Sequence, residues 1–188
     1  MNSLARVVVV LLLVGLIGVE PLSAQSQSQG GPYASLGVGY GNAVVTCDQC
    51  GDSNRESSFT GYFELGLHVS DAVLVAIMGN GWLKSVDGQQ VNIGLIGLSA
   101  RFYPVHGTGF FIKGGLGSVY IDAVLNGVDK STGFSFGWLL AGGYDVPLAD
   151  TAALTFILGV FGGSPNDIDS QTGVNTNVVS ATVGFSVF

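Results

Sequence analysis

From residue 31 to residue 188 the chain alternates apolar and polar residues in eight short runs. A two-residue side-chain period belongs to β-strands, whose successive side chains point to opposite faces. The clearest run, Ser58 to Val69, sets Phe59, Phe63, Leu65, Leu67 and Val69 on one face and Ser58, Thr60, Tyr62, Glu64, Gly66 and His68 on the other. The sixth run matches it, with Phe134, Phe136, Trp138, Leu140, Tyr144 and Val146 against Ser135, Gly137, Leu139, Ala141, Gly143 and Asp145. The first run, Tyr33 to Gly41, and the fifth, Phe110 to Ile121, alternate in the same way. The third, Ala72 to Leu83, is apolar on both faces near its start. The fourth, Val91 to Tyr103, changes parity near Leu95 and Ile96, as a bulge or a filled interior would produce. Runs from Thr151 to Phe161 and from Thr176 to Phe188 complete the set.

The connections are alternately short and long. Ser70-Asp71, Pro104 to Gly109 and Pro147 to Asp150 are turn-like; Asn42 to Ser57, Lys84 to Gln90, Asp122 to Thr132 and Gly162 to Asn175 are polar loops. Strands connected in this way run up and down across a barrier with unlike sides. Each run is roughly nine to thirteen residues, the length a tilted strand needs to cross a hydrocarbon core. One face is continuously large and apolar, while the other mixes glycine, serine, threonine and isolated charges. Soluble barrels put the apolar face inside; the inverted pattern favours a membrane, where only closure spares the backbone an unpaired edge. The expected fold is therefore all-β: a closed, up-and-down, antiparallel transmembrane barrel of eight strands over residues 32–188, with both termini on the short-turn side.

The first 24 residues are a separate object. Arg6 supplies a positive start, Val7 to Val19 is an apolar stretch too short to span a bilayer, and Leu22-Ser23-Ala24 ends in a small residue. This is the pattern of a cleavable secretory signal, followed by a short polar segment at residues 25–31. Loss of Arg6 and Glu20 leaves the net charge of −7 unchanged. An acidic chain without a Lys/Arg cluster repels nucleic acid, so that class of partner is excluded. The thirty glycines would ruin a helical protein but suit a narrow barrel, where small inward residues leave room for bulky ones.

Gly37-Val38-Gly39-Tyr40, Ala100-Arg101-Phe102-Tyr103-Pro104, Gly114-Gly115-Leu116-Gly117 and the terminal Phe188 carry a resemblance over roughly residues 30–188. The chain resembles the small outer-membrane barrels of the OmpA/OmpX type. That resemblance implies a Gram-negative type of outer membrane, contact with its lipid, a monomer, and recognition of the C-terminal strand by the outer-membrane assembly machinery. In the family's usual terminal strand the last aromatic is in phase with the lipid-facing residues. Here Val179, Ala181, Val183, Phe185 and Val187 form the apolar face, which leaves Phe188 out of phase with it. The resemblance specifies architecture and not activity; the role expected here is structural or surface-interacting, and the alternative is passage of small solutes or hydrophobic compounds, as in OmpW-like, porin-like barrels.

Among candidate chemical groups, Glu64, Arg101, Lys113 and Asp145 all have inward parity. Unpaired charges inside a narrow barrel are too costly to keep, so these should pair. A salt-bridge network filling the lumen is expected, and a gate for ions is the competing reading. Cys47 and Cys50 share one exported loop, where a stapling disulfide is expected; free or intermolecular thiols and metal binding are the alternatives. Tyr40, Trp82, Tyr120 and Tyr144 fit interfacial aromatic girdles. His68-Val69-Ser70 resembles the His and Ser of lipid A deacylases, but sits at the short-turn end, away from the leaflet where those act, so it is a coincidence. No constellation for catalysis and no cofactor motif is present, and the chain is not expected to be an enzyme.

Overall fold

A computed structural model describes residues 31–47, 54–86, 89–105, 108–125, 128–131, 133, 135–165 and 173–188. The signal sequence, Cys50, Asp87-Gly88 and Phe134 lie outside the described residues. Among the described residues the elements are β1 (Pro32–Thr46), β2 (Glu56–Ser70), β3 (Val73–Val86), β4 (Gln89–Phe102), β5 (Phe110–Leu125), β6 (Val128–Ser131), β7 (Ser135–Ala149), β8 (Ala152–Gly163) and β9 (Asn175–Val187). Consecutive long strands pair antiparallel, and β1 pairs with β9 from Ala34↔Val187 to Thr46↔Asn175. Eight strands therefore close on themselves, and the four-residue β6 pairs with the end of β5.

The expected parity is observed in β1, β2, β5, β7 and β9. In β3 it resolves with the even-numbered residues inside: Leu74, Ala76, Met78 and Trp82 are buried, while Val75, Ile77 and Leu83 face outward. In β4 no bulge occurs. The pairing with β3 runs unbroken from Val73↔Phe102 to Val86↔Gln89, and the change of pattern reflects a filled interior in which Ile93 and Leu95 are buried.

The hairpins continue further on the long-loop side than the apolar pattern indicates. β1 ends at Thr46 instead of Gly41, with Asn42 opposite Ser57 and Ala43 opposite Glu56. The expected loop from Asp122 to Thr132 is largely the β5–β6 hairpin, closed by Asp122↔Ser131 and Ala123↔Lys130. Such extensions satisfy backbone hydrogen bonds without needing an apolar face, so hydropathy does not reveal them. At the other end β7 runs through Pro147 to Ala149, with a register shift between those two residues that accommodates the missing N–H. The turn after β4 ends at Gly109, whose φ of 73° lies in the left-handed region and whose carbonyl accepts the Asp145 N–H at 2.9 Å.

The outer surface is apolar. Leu36, Phe59 and Leu158 are 69%, 71% and 70% exposed, and Leu65, Leu67, Ile77, Leu98, Leu116, Phe136, Leu140 and Phe185 are exposed with them. Soluble monomers do not present a continuous apolar belt of this kind. The inward faces carry the charges and the close packing. This is the inside-out distribution of a barrel whose solvent is lipid.

The closed sheet and the apolar belt together predict two behaviours. The mature protein should stay monodisperse only in detergent or lipid. It should also migrate differently on denaturing gels when unheated than when boiled, because the closed barrel resists the detergent until heated. Monodispersity in detergent-free buffer would refute the membrane assignment.

Candidate functional site

The lumen has two storeys. Its loop-side half is an apolar cluster in which Ala43, Met78, Trp82, Ile93, Leu95, Val119, Ile121, Leu139, Phe161, Val174 and Val178 pack together. All are essentially buried, and they come from seven of the long strands and from the residue preceding β9. Trp82 belongs here and not to an interfacial girdle. As an even-numbered residue of β3 it faces the lumen, is 3% exposed, and donates its indole N–H to the Gly41 carbonyl at 3.1 Å. The other three aromatics do face outward. Tyr40 packs edge-on against Phe59 at 5.9 Å between ring centres, and Tyr144 stands opposite Phe110 near the turn side. Tyr120 lies over its cross-strand partner Gly94, where a Cβ would collide with the phenol ring.

Below the apolar half lies a polar layer that brings together all four lumen charges identified in the sequence. Arg101 and Lys113 are direct cross-strand partners on β4 and β5. Like charges so placed repel, and they coexist here because Glu64 reaches both from β2. One Glu64 oxygen accepts from Lys113 Nζ at 2.9 Å and from Ser99 Oγ at 2.9 Å, and the other pairs with Arg101 Nη2. Asp145 on β7 supplies the second negative charge, with its Oδ2 3.8 Å from Arg101 Nη1. Two cations and two carboxylates balance. All four are buried, Glu64 and Arg101 completely.

Polar partners that sequence reading did not single out extend this layer around the wall. Asp145 accepts from Tyr103 at 2.9 Å and from Thr155 on β8 at 2.6 Å. Thr155 reaches Ser186 on β9 at 2.5 Å, Ser186 reaches Ser35 on β1 at 2.9 Å, and Ser35 reaches the Tyr62 hydroxyl on β2 at 3.1 Å. The chain of bonds thus touches every long strand except β3. The register lays it out, since Ser35 is the pairing partner of both Glu64 and Ser186, and Asp145 is the partner of Thr155. Their sequence signal was present in their inward parity, but a lone serine or threonine does not reveal which neighbour it bonds.

Aromatic rings flank the cations. Arg101 Cζ lies 4.3 Å from the Phe111 ring centre and 5.0 Å from that of Tyr33, and Lys113 Nζ lies 5.5 Å from that of Tyr62. Such contacts stabilise a cation held away from water. At the turn-side mouth the Phe188 ring packs on Tyr33 at 5.5 Å and on His68 at 5.7 Å. Its inward phase places the final aromatic within the lumen mouth. Cys47, just beyond β1, is disulfide-bonded, while Cys50 lies outside the described residues.

Fold and lumen together define an integral membrane β-barrel of eight strands with an occupied interior. No family model and no curated protein sequence matches the chain. Among solved structures it is similar to neisserial surface protein A, with a TM-score of 0.59 at 15% identity, covering 84% of this chain and 98% of that one. It is also similar to Ail, the attachment invasion locus protein of Yersinia pestis, with a TM-score of 0.55 at 11% identity over 85% and 99% of the two chains. A third similarity is to the outer membrane protein AlkL, with a TM-score of 0.51 at 13% identity over 91% and 96%. The fold is that of the small eight-stranded outer-membrane barrels.

Two measurements test the site. Glu64→Ala leaves Arg101 and Lys113 side by side in a dry interior, and the urea unfolding midpoint in detergent or bilayers should report a loss of roughly 3–5 kcal/mol. Adding Lys113→Met restores the charge balance and should recover part of that loss; an unchanged midpoint in the single variant would mean a water-filled, screened site. For the loop, intact-mass analysis with and without reductant should differ by about 2 Da if Cys47 and Cys50 form an intramolecular staple. Two thiols alkylated in the oxidised native protein would exclude the staple.

Proposed function

We propose that the protein is an integral outer-membrane barrel of the Gram-negative type with a structural or surface-interaction role, carried by its acidic loops and not by its lumen. The observation that supports this reading is the apolar loop-side half of the lumen. Met78, Trp82, Ile93, Leu95 and Phe161 occupy the axis at essentially zero exposure, above a charge-balanced polar layer. An eight-stranded barrel is just wide enough for side chains to fill, and a hydrated ion has no path through packed hydrocarbon. A catalytic role is not part of the proposal.

The two solved structures with the higher similarity scores are named as a surface protein and an attachment invasion locus protein. Their names are consistent with a barrel that presents loops to its surroundings. In this reading the protein is a monomer in outer-membrane lipid, exported by its N-terminal signal, and β9 with its terminal Phe188 is the segment that the assembly machinery recognises.

Planar-bilayer recordings test the proposal. The purified barrel should give no steady conductance, and Trp82→Ala, which removes the largest side chain of the plug, should raise the frequency of openings. Steady, graded channels in the wild-type protein would replace this reading with that of a solute passage.

A further inference from the structure

The outer wall is not evenly covered by side chains. The register lines its outward residues up in rows that cross the strands. In one row Leu67 pairs with Val75, Val75 with Ala100 and Ala100 with Gly114. The next row towards the loops runs Leu65, Ile77, Leu98, Leu116 and Trp138, each paired with the one before it. Small residues beside large ones leave a trough of about 1150 Å³ on the outside of these strands. The outward glycines Gly79 and Gly94 lie beneath the rings of Phe63 and Tyr120, whereas no protein atom comes within 4 Å of where a Cβ would stand on Gly81 or Gly114. Gly114 is part of the trough and Gly81 is not. Ala100 and Gly114 adjoin Arg101 and Lys113 of the polar layer, so the trough lies in the turn-side half of the wall. Beyond its β2–β3 end, the turn between those strands exposes Asp71. Asp150 is exposed on the same rim, and among the described residues no lysine or arginine joins them there.

We propose that this trough holds one acyl chain of a bilayer phospholipid bearing a primary ammonium headgroup, with that ammonium at Asp71. The trough is continuous with the belt that lipid covers, and hydrocarbon fills it because water there finds no polar partner. With neighbouring strands about 4.8 Å apart, the row from Leu65 to Trp138 runs roughly 19 Å along the wall. That exceeds the half-thickness of about 15 Å that one chain spans in the hydrocarbon core. The rim chooses the headgroup. Its carboxylates attract an ammonium and repel a net anionic lipid, and a primary ammonium also donates hydrogen bonds to them, which a quaternary one does not. A second copy of the barrel fits less well, since two troughs packed face to face would set one acidic rim against the other. Such a lipid site is independent of what the loops do.

The two tryptophans provide the test. Trp138 lines the trough and faces outward, while Trp82 is buried in the plug. Trp82→Phe therefore leaves one fluorophore at the site, whose quenching by a phospholipid with brominated chains reads the lipid beside it. The variant is reconstituted in vesicles of brominated phosphatidylcholine, and unbrominated phosphatidylethanolamine, phosphatidylcholine or phosphatidylglycerol competes for the site. The ethanolamine lipid should displace the quencher roughly threefold better than the choline lipid, the scale of one exposed ion pair, and the glycerol lipid should compete worst. Added to this background, Asp71→Asn should bring the three lipids together. Gly114→Leu, which fills the trough, should do the same, while Gly81→Leu outside it should leave the preference intact. Each variant is compared after it shows the heat-dependent gel migration of a closed barrel. Equal competition by all three lipids in the Trp82→Phe protein would overturn the proposal, leaving an unselective lipid shell. A preference that survives Asp71→Asn or Gly114→Leu would overturn it as well. Absent quenching, together with barrels that cross-link in pairs, would assign the trough to a second copy of the chain.

Discussion

The pairing of β1 with β9 is the constraint on which everything else depends. In hydrocarbon no solvent is available to hydrogen-bond an exposed sheet edge, so a spanning sheet must close. Thirteen pairs from Ala34↔Val187 to Thr46↔Asn175 make that closure. Once the sheet is a cylinder, the two side-chain parities become two different solvents. The outward set is held by lipid and needs only to be apolar. The inward set must fill a narrow tube with side chains that satisfy one another, and it is there that the chain spends its polar and charged residues.

The interior solves this with two chemistries at different depths. Towards the loops it behaves like the core of a soluble protein, with an indole, a phenyl ring and branched side chains in contact. Towards the turns it becomes a neutral cluster of opposite charges. Buried ion pairs add little net stability compared with well-packed apolar residues, because desolvation offsets most of their attraction. The register of β4 against β5 places two cations together, and the observed alignment of β2 and β7 brings a carboxylate to them, which a one-residue slip of either strand would turn outward. The cluster therefore discriminates between alignments more than it strengthens any of them.

Much of this was legible in the sequence. Strand number, direction and closure followed from a two-residue period and from alternating loop lengths, because lipid outside and a filled tube inside force a strict alternation on β2 and β7. The four lumen charges were legible for the same reason, since a charge on a lipid-facing position is not tolerated. Trp82 was misplaced because β3 is apolar on both faces, and hydropathy alone does not distinguish lipid from a plug. The ends of β1 and β5 were cut short because their pairing continues through residues of mixed polarity, which hydropathy does not distinguish from a loop. The serine and threonine partners of Asp145 and Tyr62 became visible only with the register, which brings Ser35, Ser186 and Thr155 to one level across strands far apart in the chain.

The neighbouring cations on β4 and β5 also bear on the order of assembly. A hairpin made of these two strands alone would set Arg101 beside Lys113 with no carboxylate to separate them, since Glu64 belongs to β2 and Asp145 to β7. The local hairpin, ordinarily the first unit to form, is here the frustrated one. The Arg101–Lys113 contact is relieved only when strands on both flanks bring their acidic groups across the tube. Curvature and pairing are thus coupled, so that a flat, partly formed sheet is penalised at its centre and the cylinder is reached as a cooperative whole.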